Sequence, residues 1–378
     1  SFKVVISSYH TPGEGEHKIL QEIRNSKQKK TRAIYGLDAD LIFLSLSCGY
    51  DDVYLLREAM QFGKFKASAD YEKDEETVTE PLNVFSIDEL KNRFNDTMTN
   101  MLRGKGCDIK KASIQDFIFV CYFLGNDFLP HLPSIHVRRN GLDTLLDIYT
   151  NIYPYYGSPL LRSEEGKVTF NFDFLYDFIG EIASRENYYF VEELPRYLGR
   201  ESKRRCHTSE PYEYECWKLE CLKFPIDDPI KLGYDNPTNW KFRYYNHYFN
   251  VTDQDDLIDS MCAKYLEGLI WVSMYYFDDC ASWLWAYPYT HAPFMSDLYY
   301  FLGNHKSFMS DISFPKTKAI KPCTLLLMAT PRQCSYLLPE SYKSLLKDTS
   351  DIIDMYPDEV EIDLIYKTAH WEGIPMLP

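Results

Sequence analysis

The sequence has few of the features that mark secreted or membrane proteins. Its longest fully apolar run, residues 117–124, is too short to cross a bilayer, and no signal peptide is visible. Its ten cysteines include no CxxC pair and no dense framework of disulfide spacing. We therefore expect no membrane partner, and reduced thiols in a cytoplasmic or, alternatively, a nuclear compartment.

Positive charge is also scarce. The 41 Lys and Arg residues are outnumbered by 56 Asp and Glu, for a net charge of −15. Proteins that grip polyanions usually show a basic bias, so the total argues against a nucleic-acid partner. It does not exclude one, because local patches decide binding and carboxylates that hold a metal are counted here as negative. The length of 378 residues, 45% of them hydrophobic, indicates a globular chain of two or three domains.

Short apolar runs alternate with helical patterns near the start of the chain. The runs predict strands at residues 4–6, 33–36 and 53–56, and the patterns predict helices at residues 16–24 and 40–46. Strands that alternate with helices imply an α/β fold with a mainly parallel sheet. Ligands in such sheets bind beyond the carboxyl ends of the strands.

The rest of the chain reads as largely helical. Further helices are predicted at residues 87–102, 114–124 and 260–277. Residues 151–250 look like an irregular connecting region, and twelve of the 31 residues from 271 to 301 are aromatic. The predicted organisation is an α/β core at residues 1–150, the connecting region, and a helical, aromatic-rich domain at residues 251–378.

Carboxylates recur in three short segments of the predicted core. Glu14 and Glu16 lie in PGEGEHK, Asp38 and Asp40 in DAD, and Asp127 in GNDF. In a turn or extended segment, alternate residues share a side, so each pair can converge. Clustered carboxylates repel one another unless a cation joins them, and Mg²⁺ prefers such ligands. We therefore predict a Mg²⁺ site, with Mn²⁺ as a substitute, typical of phosphoesterases in which two ions activate water and stabilise the leaving oxygen.

Each acidic segment also has a structural interpretation when taken alone. Glu14 and Glu16 could begin a helix, where the positive end of the dipole favours acids. Asp38 or Asp40 could cap the next helix, and Asp127 could close a turn. Their occurrence together, after predicted strands, favours one shared site.

Basic and aromatic residues near these segments are candidate RNA-binding groups. Lys18 lies one helical turn after the first acid, and Arg138 and Arg139 follow the GNDF segment. Trp283 and Trp285 in the aromatic block could stack on bases. The alternatives are solvated cations and core aromatics.

Longer stretches resemble the XRN family of 5′→3′ exoribonucleases. They are PGEGEHKI, YGLDADLIFLSL, DFIFVCYFLGNDFLPHLPS and YLEGLIWVSMYYFDDCASWLWAYPYTHAPFMSDL, and residues 151–250 lie outside the resemblance. It implies a PIN-like (flap-endonuclease-like) α/β nuclease core with Mg²⁺-binding acids. Glu14, Glu16, Asp38, Asp40 and Asp127 match the metal-binding positions of that family.

The resemblance also implies an activity. It is the processive removal of mononucleotides from single-stranded RNA with a 5′ monophosphate, by two-metal hydrolysis, in mRNA decay. One tryptophan of the aromatic block would stack near the RNA 5′ end. Family members carry an upstream segment with two more metal-binding Asp residues, a basic phosphate pocket and a stacking His. We expect the present sequence to correspond to the C-terminal part of such a core.

Two other functions remain open from the sequence. A 5′ flap endonuclease or DNA exonuclease shares the acidic residues but should lack the aromatic block. A non-catalytic RNA-binding scaffold should bind RNA without Mg²⁺-dependent turnover. The retained acids disfavour the scaffold, because buried carboxylates without a function are costly.

Overall fold

The computed structural model of the chain describes residues 4–26, 30–58, 82–109, 111–164, 167–252 and 254–376. Helices dominate these residues. They are α1 (Gly15–Asn25), α2 (Asp40–Ser47), α3 (Ile87–Gly104), α4 (Ile114–Cys121), α5 (Gly141–Tyr156), α6 (Phe172–Tyr188), α7 (Leu194–Lys203), α8 (Pro211–Glu220), α9 (Pro237–Phe249), α10 (Asp255–Phe277), α11 (Met295–Asn304), α12 (Phe308–Asp311), α13 (Pro322–Ala329) and α14 (Glu340–Lys343). The strands are β1 (Arg32–Tyr35), β2 (Val53–Glu58), β3 (Leu82–Ser86), β4 (Leu161–Glu164), β5 (Lys167–Phe170), β6 (Glu361–Asp363) and β7 (Ile374–Met376).

The first three strands form a mixed sheet in the order β1-β2-β3. β1 pairs parallel to β2 with Ile34 opposite Leu55, and both side chains are buried. β3 pairs antiparallel to β2, with Val84 opposite Leu56. The predicted strands at residues 33–36 and 53–56 are confirmed. The prediction of a mainly parallel sheet holds for only one of the two strand pairs that this sheet has within the described residues.

The strand predicted at residues 4–6 is wrong. Val4, Val5 and Ile6 have no strand assignment and are 66%, 72% and 82% exposed. A β-branched run needs a neighbouring strand to accept its hydrogen bonds, and none of the strands in the described residues pairs with this one.

The helices predicted in the first half of the chain are confirmed in α1, α2, α3 and α4. Two of them have side-chain N-caps. Ser86 Oγ accepts from Glu89 N at 3.2 Å before α3, and Ser113 Oγ accepts from Asp116 N at 3.1 Å before α4. α4 is buried along most of its length, as its continuous apolar sequence indicated.

Residues 151–250 are not irregular, contrary to the prediction. They contain the β4–β5 hairpin and the helices α6 to α9. The last of these has sequence signals that went unused, since Asn236 caps it and Pro237 occupies its first turn. Phe190 and Trp240 from this part form a second buried cluster with Phe294. The division of the chain at residues 150 and 250 stays a prediction.

Helix α10 connects the sheet region to the helical region. It packs against α2, β5, α11 and α12. Leu41 and Leu44 of α2 belong to the same buried cluster as Leu266, Leu269 and Val272 of α10. The acidic end of α2 is therefore supported by a helix from much later in the chain. No helix in the described ranges combines the length and apolar character that a membrane span needs.

Candidate functional site

The first acidic segment turns sharply into α1. Gly13 has φ of +100°, a backbone region that suits glycine, and Glu14 is the N-cap residue. A Cβ built at Gly13 would lie 3.5 Å from the Trp283 ring and 3.5 Å from Lys18 Cε. The Lys18 ammonium donates to the Thr11 carbonyl at 2.7 Å. The turn thus gathers an acid, a cation and an indole ring.

The second acidic segment follows the carboxyl end of β1, as predicted. Asp38 lies in the loop and Asp40 is the first residue of α2. A Cβ at Gly36 would overlap the Leu41 side chain, so glycine at this turn allows α2 to pack close to the strand. The turn therefore brings both carboxylates to the edge of the sheet where ligands are expected.

The third acidic segment is a loop after a 3₁₀ turn at Tyr122–Leu124. Gly125 has φ of +90°. Asn126 Oδ1 accepts from the backbone N–H groups of Phe128 and Leu129, each at 2.9 Å. These contacts define the loop and leave Asp127 exposed.

The electrostatics show that the structure brings the three segments together. Burial, together with the nearby carboxylates of Asp38, Glu14, Asp40 and Asp127, raises the pKa of Glu16 to about 7. Burial also raises the pKa of Asp40 to about 6, with added contributions from Asp127, Asp38 and Glu14. All five predicted acids therefore lie within range of mutual repulsion. Their roles as metal ligands stay a prediction.

The donor chemistry of this group, which we call the acidic cluster, fits a hard divalent cation such as Mg²⁺. Its side chains do not yet form a coordination shell. Among the described residues, no three Asp, Glu, His or Cys side chains lie close enough together to hold an ion. Of the five acids, only Glu14 has a side-chain hydrogen bond within the part of the chain that the structure describes. The other four carboxylates have no side-chain hydrogen bond to any residue that the structure describes.

The end of α10 forms one wall of the acidic cluster. The Tyr275 hydroxyl donates to Glu14 Oε2. Burial, and then the bond to Glu14, raises the pKa of Tyr275 far above its usual value, so the hydroxyl keeps its proton. Burial also raises the pKa of Tyr276, and Asp40 and Asp127 raise it further. Both tyrosines thus face the cluster.

Helix α1 is attached to the same end of α10. The Arg24 guanidinium donates to the backbone carbonyls of Tyr276 and Asp278. Gln21 Nε2 donates to Asp279 Oδ1 at 2.6 Å. His17, only 2% exposed, has Nε2 at 3.4 Å from the same oxygen. The helix that carries Glu16 is therefore positioned by the helical region.

The two candidate tryptophans lie at different depths. Trp283 borders the first acidic segment beside Gly13, and its ring meets His17 edge-on at 5.3 Å between centroids. Trp285 stacks on Trp271 at 5.2 Å, one layer behind. Trp283 is therefore the better placed of the two to reach a ligand at the cluster.

The two candidate arginines are engaged elsewhere. Arg138 lies 3.4 Å from a Glu372 oxygen and 5.3 Å from the centre of the Trp371 ring. Arg139 donates to the Tyr189 hydroxyl at 3.0 Å and to a backbone carbonyl at 2.6 Å. Within the described ranges, neither guanidinium forms an ion pair with the acidic cluster. Their RNA-binding roles stay a prediction.

Sequence reasoning missed Tyr275, Tyr276 and Arg24 as parts of this site. The two tyrosines belong to the aromatic block that the sequence made visible, but their adjacency to the acids depends on how α10 packs. Arg24 belongs to a basic run that could line a phosphate path, but nothing local indicated its attachment to α10, because its partners are backbone carbonyls more than 250 residues away.

Two family profiles match the sequence. The profile described as "XRN 5'-3' exonuclease N-terminus" matches residues 1–59, and the one described as "Xrn1 helical domain" matches residues 107–215 and 220–378. The second match includes most of residues 151–250, which the resemblance noted from the sequence had left out.

Individual relatives agree with the profiles. The chain is 28% identical to 5'-3' exoribonuclease 2 of Arabidopsis thaliana, with 100% of this chain and 47% of the relative covered. It is 30% identical to human 5'-3' exoribonuclease 1, with 99% and 24% covered. It is 27% identical to the Drosophila melanogaster 5'-3' exoribonuclease 2 homolog, with 100% and 48% covered. The chain thus spans half or less of the length of these relatives. Because the two profiles together match most of its length, the chain belongs to the XRN family of 5′-3′ exonucleases.

Proposed function

We propose that the chain carries the metal-binding part of a 5′→3′ exoribonuclease that degrades single-stranded 5′-monophosphate RNA. The observation that carries the proposal is the acidic cluster, in which carboxylates from three segments raise the pKa values of Glu16 and Asp40. A cation is the simplest partner that relieves such repulsion. The reaction class comes from the relatives, which are named as 5′-3′ exoribonucleases. A PIN-like core, a cytoplasmic or nuclear location and a role in mRNA decay belong to the same proposal.

The five acids Glu14, Glu16, Asp38, Asp40 and Asp127 would hold Mg²⁺ or Mn²⁺. One or two such ions, when bound, would polarise the phosphate and make water a better nucleophile. Water then adds to phosphorus and the P–O3′ bond breaks. A proton from the attacking water passes to O3′, so the released mononucleotide gains a 3′ hydroxyl, and the shortened RNA begins with a new 5′ phosphate.

Other residues of the chain would position the RNA. Trp283 offers an aromatic surface beside the first acidic segment, where a base near the 5′ end could stack. Lys18 lies in the same turn and would lie near the phosphate. The end of α10, through Tyr275 and Tyr276, closes one side of the cluster. A walled site of this kind favours a single strand over a duplex.

A second candidate function is that of a non-catalytic RNA-binding scaffold. The observation that favours it is that no three ligand side chains converge among the described residues. The scaffold would bind RNA through Trp283 and nearby cations, and it would release no mononucleotides.

The test compares single-stranded RNA with a 5′ phosphate, the same RNA with a 5′ hydroxyl, and single-stranded DNA, each with Mg²⁺ or EDTA. Glu16→Gln removes one charge of the cluster, and Glu22→Gln is the matched control on the exposed side of α1. Mg²⁺-dependent mononucleotide release from 5′-phosphate RNA, lost only in Glu16→Gln, supports the exoribonuclease. RNA binding without turnover supports the scaffold, and internal cleavage of branched DNA supports a flap endonuclease.

A further inference from the structure

Tyr275 lies where two acid-bearing segments meet the helical region. Its hydroxyl donates to Glu14 Oε2, and its ring stacks on His17 with centroids 4.7 Å apart. The same ring packs against Phe128 at 5.0 Å. Phe128 directly follows Asp127 in the GNDF loop. One side chain therefore contacts both the start of α1 and the loop that carries the third acidic segment.

Tyr275 is itself held firmly. It is 3% exposed, and its ring stacks on Trp271 at 5.3 Å with an interplanar angle of 17°. The Trp271 indole N–H donates to the Ser282 carbonyl at 2.9 Å. Trp271 also meets Phe128 at 4.9 Å. The contacts of Tyr275 thus rest on a rigid aromatic layer at the end of α10.

The acids that this layer supports have little else to fix them. Tyr275 is the one hydrogen-bond partner of the Glu14 side chain within the described part of the chain. Asp127 has none there, and its position depends on the loop whose next residue, Phe128, packs on Tyr275. A glutamate side chain that is free to rotate loses conformational entropy when a ligand fixes it.

We propose that Tyr275 is a positioning residue that sets the relative placement of Glu14 and Asp127. Its hydroxyl anchors the Glu14 carboxylate, and its ring anchors the loop that carries Asp127. The cluster is thereby preorganised for a divalent cation, and this consequence depends on the function proposed above. The role differs from a purely structural one, because it predicts separate effects of the hydroxyl and the ring.

Two variants separate these contacts. Tyr275→Phe removes the hydroxyl and keeps the ring, whereas Tyr275→Leu removes both. Tyr265→Phe is the matched control, since Tyr265 lies on the same helix, is buried, and donates to the Pro130 carbonyl at 3.2 Å. Amide hydrogen exchange is measured without metal across residues 13–18 and 126–129, and Mn²⁺ affinity is measured by electron paramagnetic resonance. Thermal unfolding of each variant confirms that it is folded.

We expect Tyr275→Phe to exchange faster at residues 13–18 only and to bind Mn²⁺ about tenfold more weakly, the lower end of the loss seen when an outer hydrogen-bond partner of a metal ligand is removed. Tyr275→Leu should exchange faster in both segments, and Tyr265→Phe should match the parent. Unchanged exchange of both segments in folded Tyr275→Leu would overturn the proposal. If the parent binds no Mn²⁺ but the Tyr275 variants still exchange faster than the parent, the positioning role is supported and the metal site is refuted.

Discussion

Burial raises the pKa of carboxylates in two regions of this molecule, and the surroundings of these acids differ in kind. In the helical region Asp116 is fully buried, and burial raises its pKa. Three donors oppose that effect: the Tyr149 hydroxyl at 2.5 Å and the backbone N–H groups of Leu160 and Leu161, each at 2.8 Å. This acid ties α4 to α5 and β4. Its charge is matched by the fold itself.

In the acidic cluster the neighbouring groups have the opposite effect. The donors around Asp116 lower its pKa, whereas the neighbours of the clustered acids raise theirs. Burial raises the pKa of Glu16, and four neighbouring carboxylates raise it further. Asp40 shows the same pattern. Within the described residues, Asp116 has these three donors, whereas no side-chain hydrogen bond reaches the Glu16 or Asp40 carboxylate. The difference supports the proposal that a cation is the partner of the acidic cluster.

The largest expected effect separates the two regions by activity. Glu16→Gln should lower the rate of Mg²⁺-dependent RNA degradation at least about 100-fold, which corresponds to about 2.7 kcal/mol of transition-state stabilisation. Its thermal stability should not fall, because the change removes repulsion. Single-turnover degradation and thermal unfolding measure the two quantities. Activity within a few-fold of the parent would remove Glu16 from the metal site.

The reverse result is expected for Asp116→Ala. Loss of the carboxylate leaves a buried hydroxyl and two backbone N–H groups without an acceptor, and we expect a loss of about 3 kcal/mol or more in the free energy of unfolding. Urea denaturation measures it. Asp108→Ala is the control, since that carboxylate is 87% exposed and pairs with Arg103 at 3.6 Å, so its loss should cost under about 1 kcal/mol. Equal losses in the two variants would contradict the comparison.

Glu186 tests how completely the helical region satisfies its acids. It accepts from Met295 N at 2.8 Å and from Ser296, yet burial raises its pKa to about 7. Because the folded-state pKa lies above the usual 4.5, the contribution to stability is full below pH 4.5 and is lost as the pH rises through about 7. Between pH 5 and pH 8 the free energy of unfolding of Glu186→Gln should therefore fall by about 2 kcal/mol less than that of the parent, since one pKa unit corresponds to about 1.4 kcal/mol. Identical pH profiles of unfolding would show that Glu186 stays ionised.

The smallest expected effect concerns the two arginines. Arg139→Met should cost about 1–2 kcal/mol of stability, because two hydrogen bonds to the helical region are lost. Arg138→Met should cost less, since its pair with Glu372 is half exposed on the arginine side. RNA affinity is then measured by fluorescence anisotropy on samples with the same folded fraction. It shows whether each arginine contributes to RNA binding. Weaker binding in both variants would support the RNA contacts predicted from the sequence.

The sequence was informative where local pattern and chemistry coincide. The DAD segment after β1 and the GNDF loop after α4 were recognisable because acids directly follow apolar runs. It was misleading at residues 4–6, where apolar residues without a pairing strand stay exposed. It was also misleading for residues 151–250. This part of the sequence is polar and contains prolines, yet it forms helices that bury aromatic rings.

The amino-acid sequence by itself determined which residues could form the acidic cluster, since carboxylate spacing and glycine turns are local properties of the chain. Only the tertiary structure decided that the five acids share one site, that Trp283 borders it and Trp285 lies behind, and that Tyr275 and Arg24 support it. The physical reason is that these relations join residues up to 270 positions apart, as between Gly13 and Trp283. Such contacts depend on how α10 packs against α1 and α2, which no local pattern specifies.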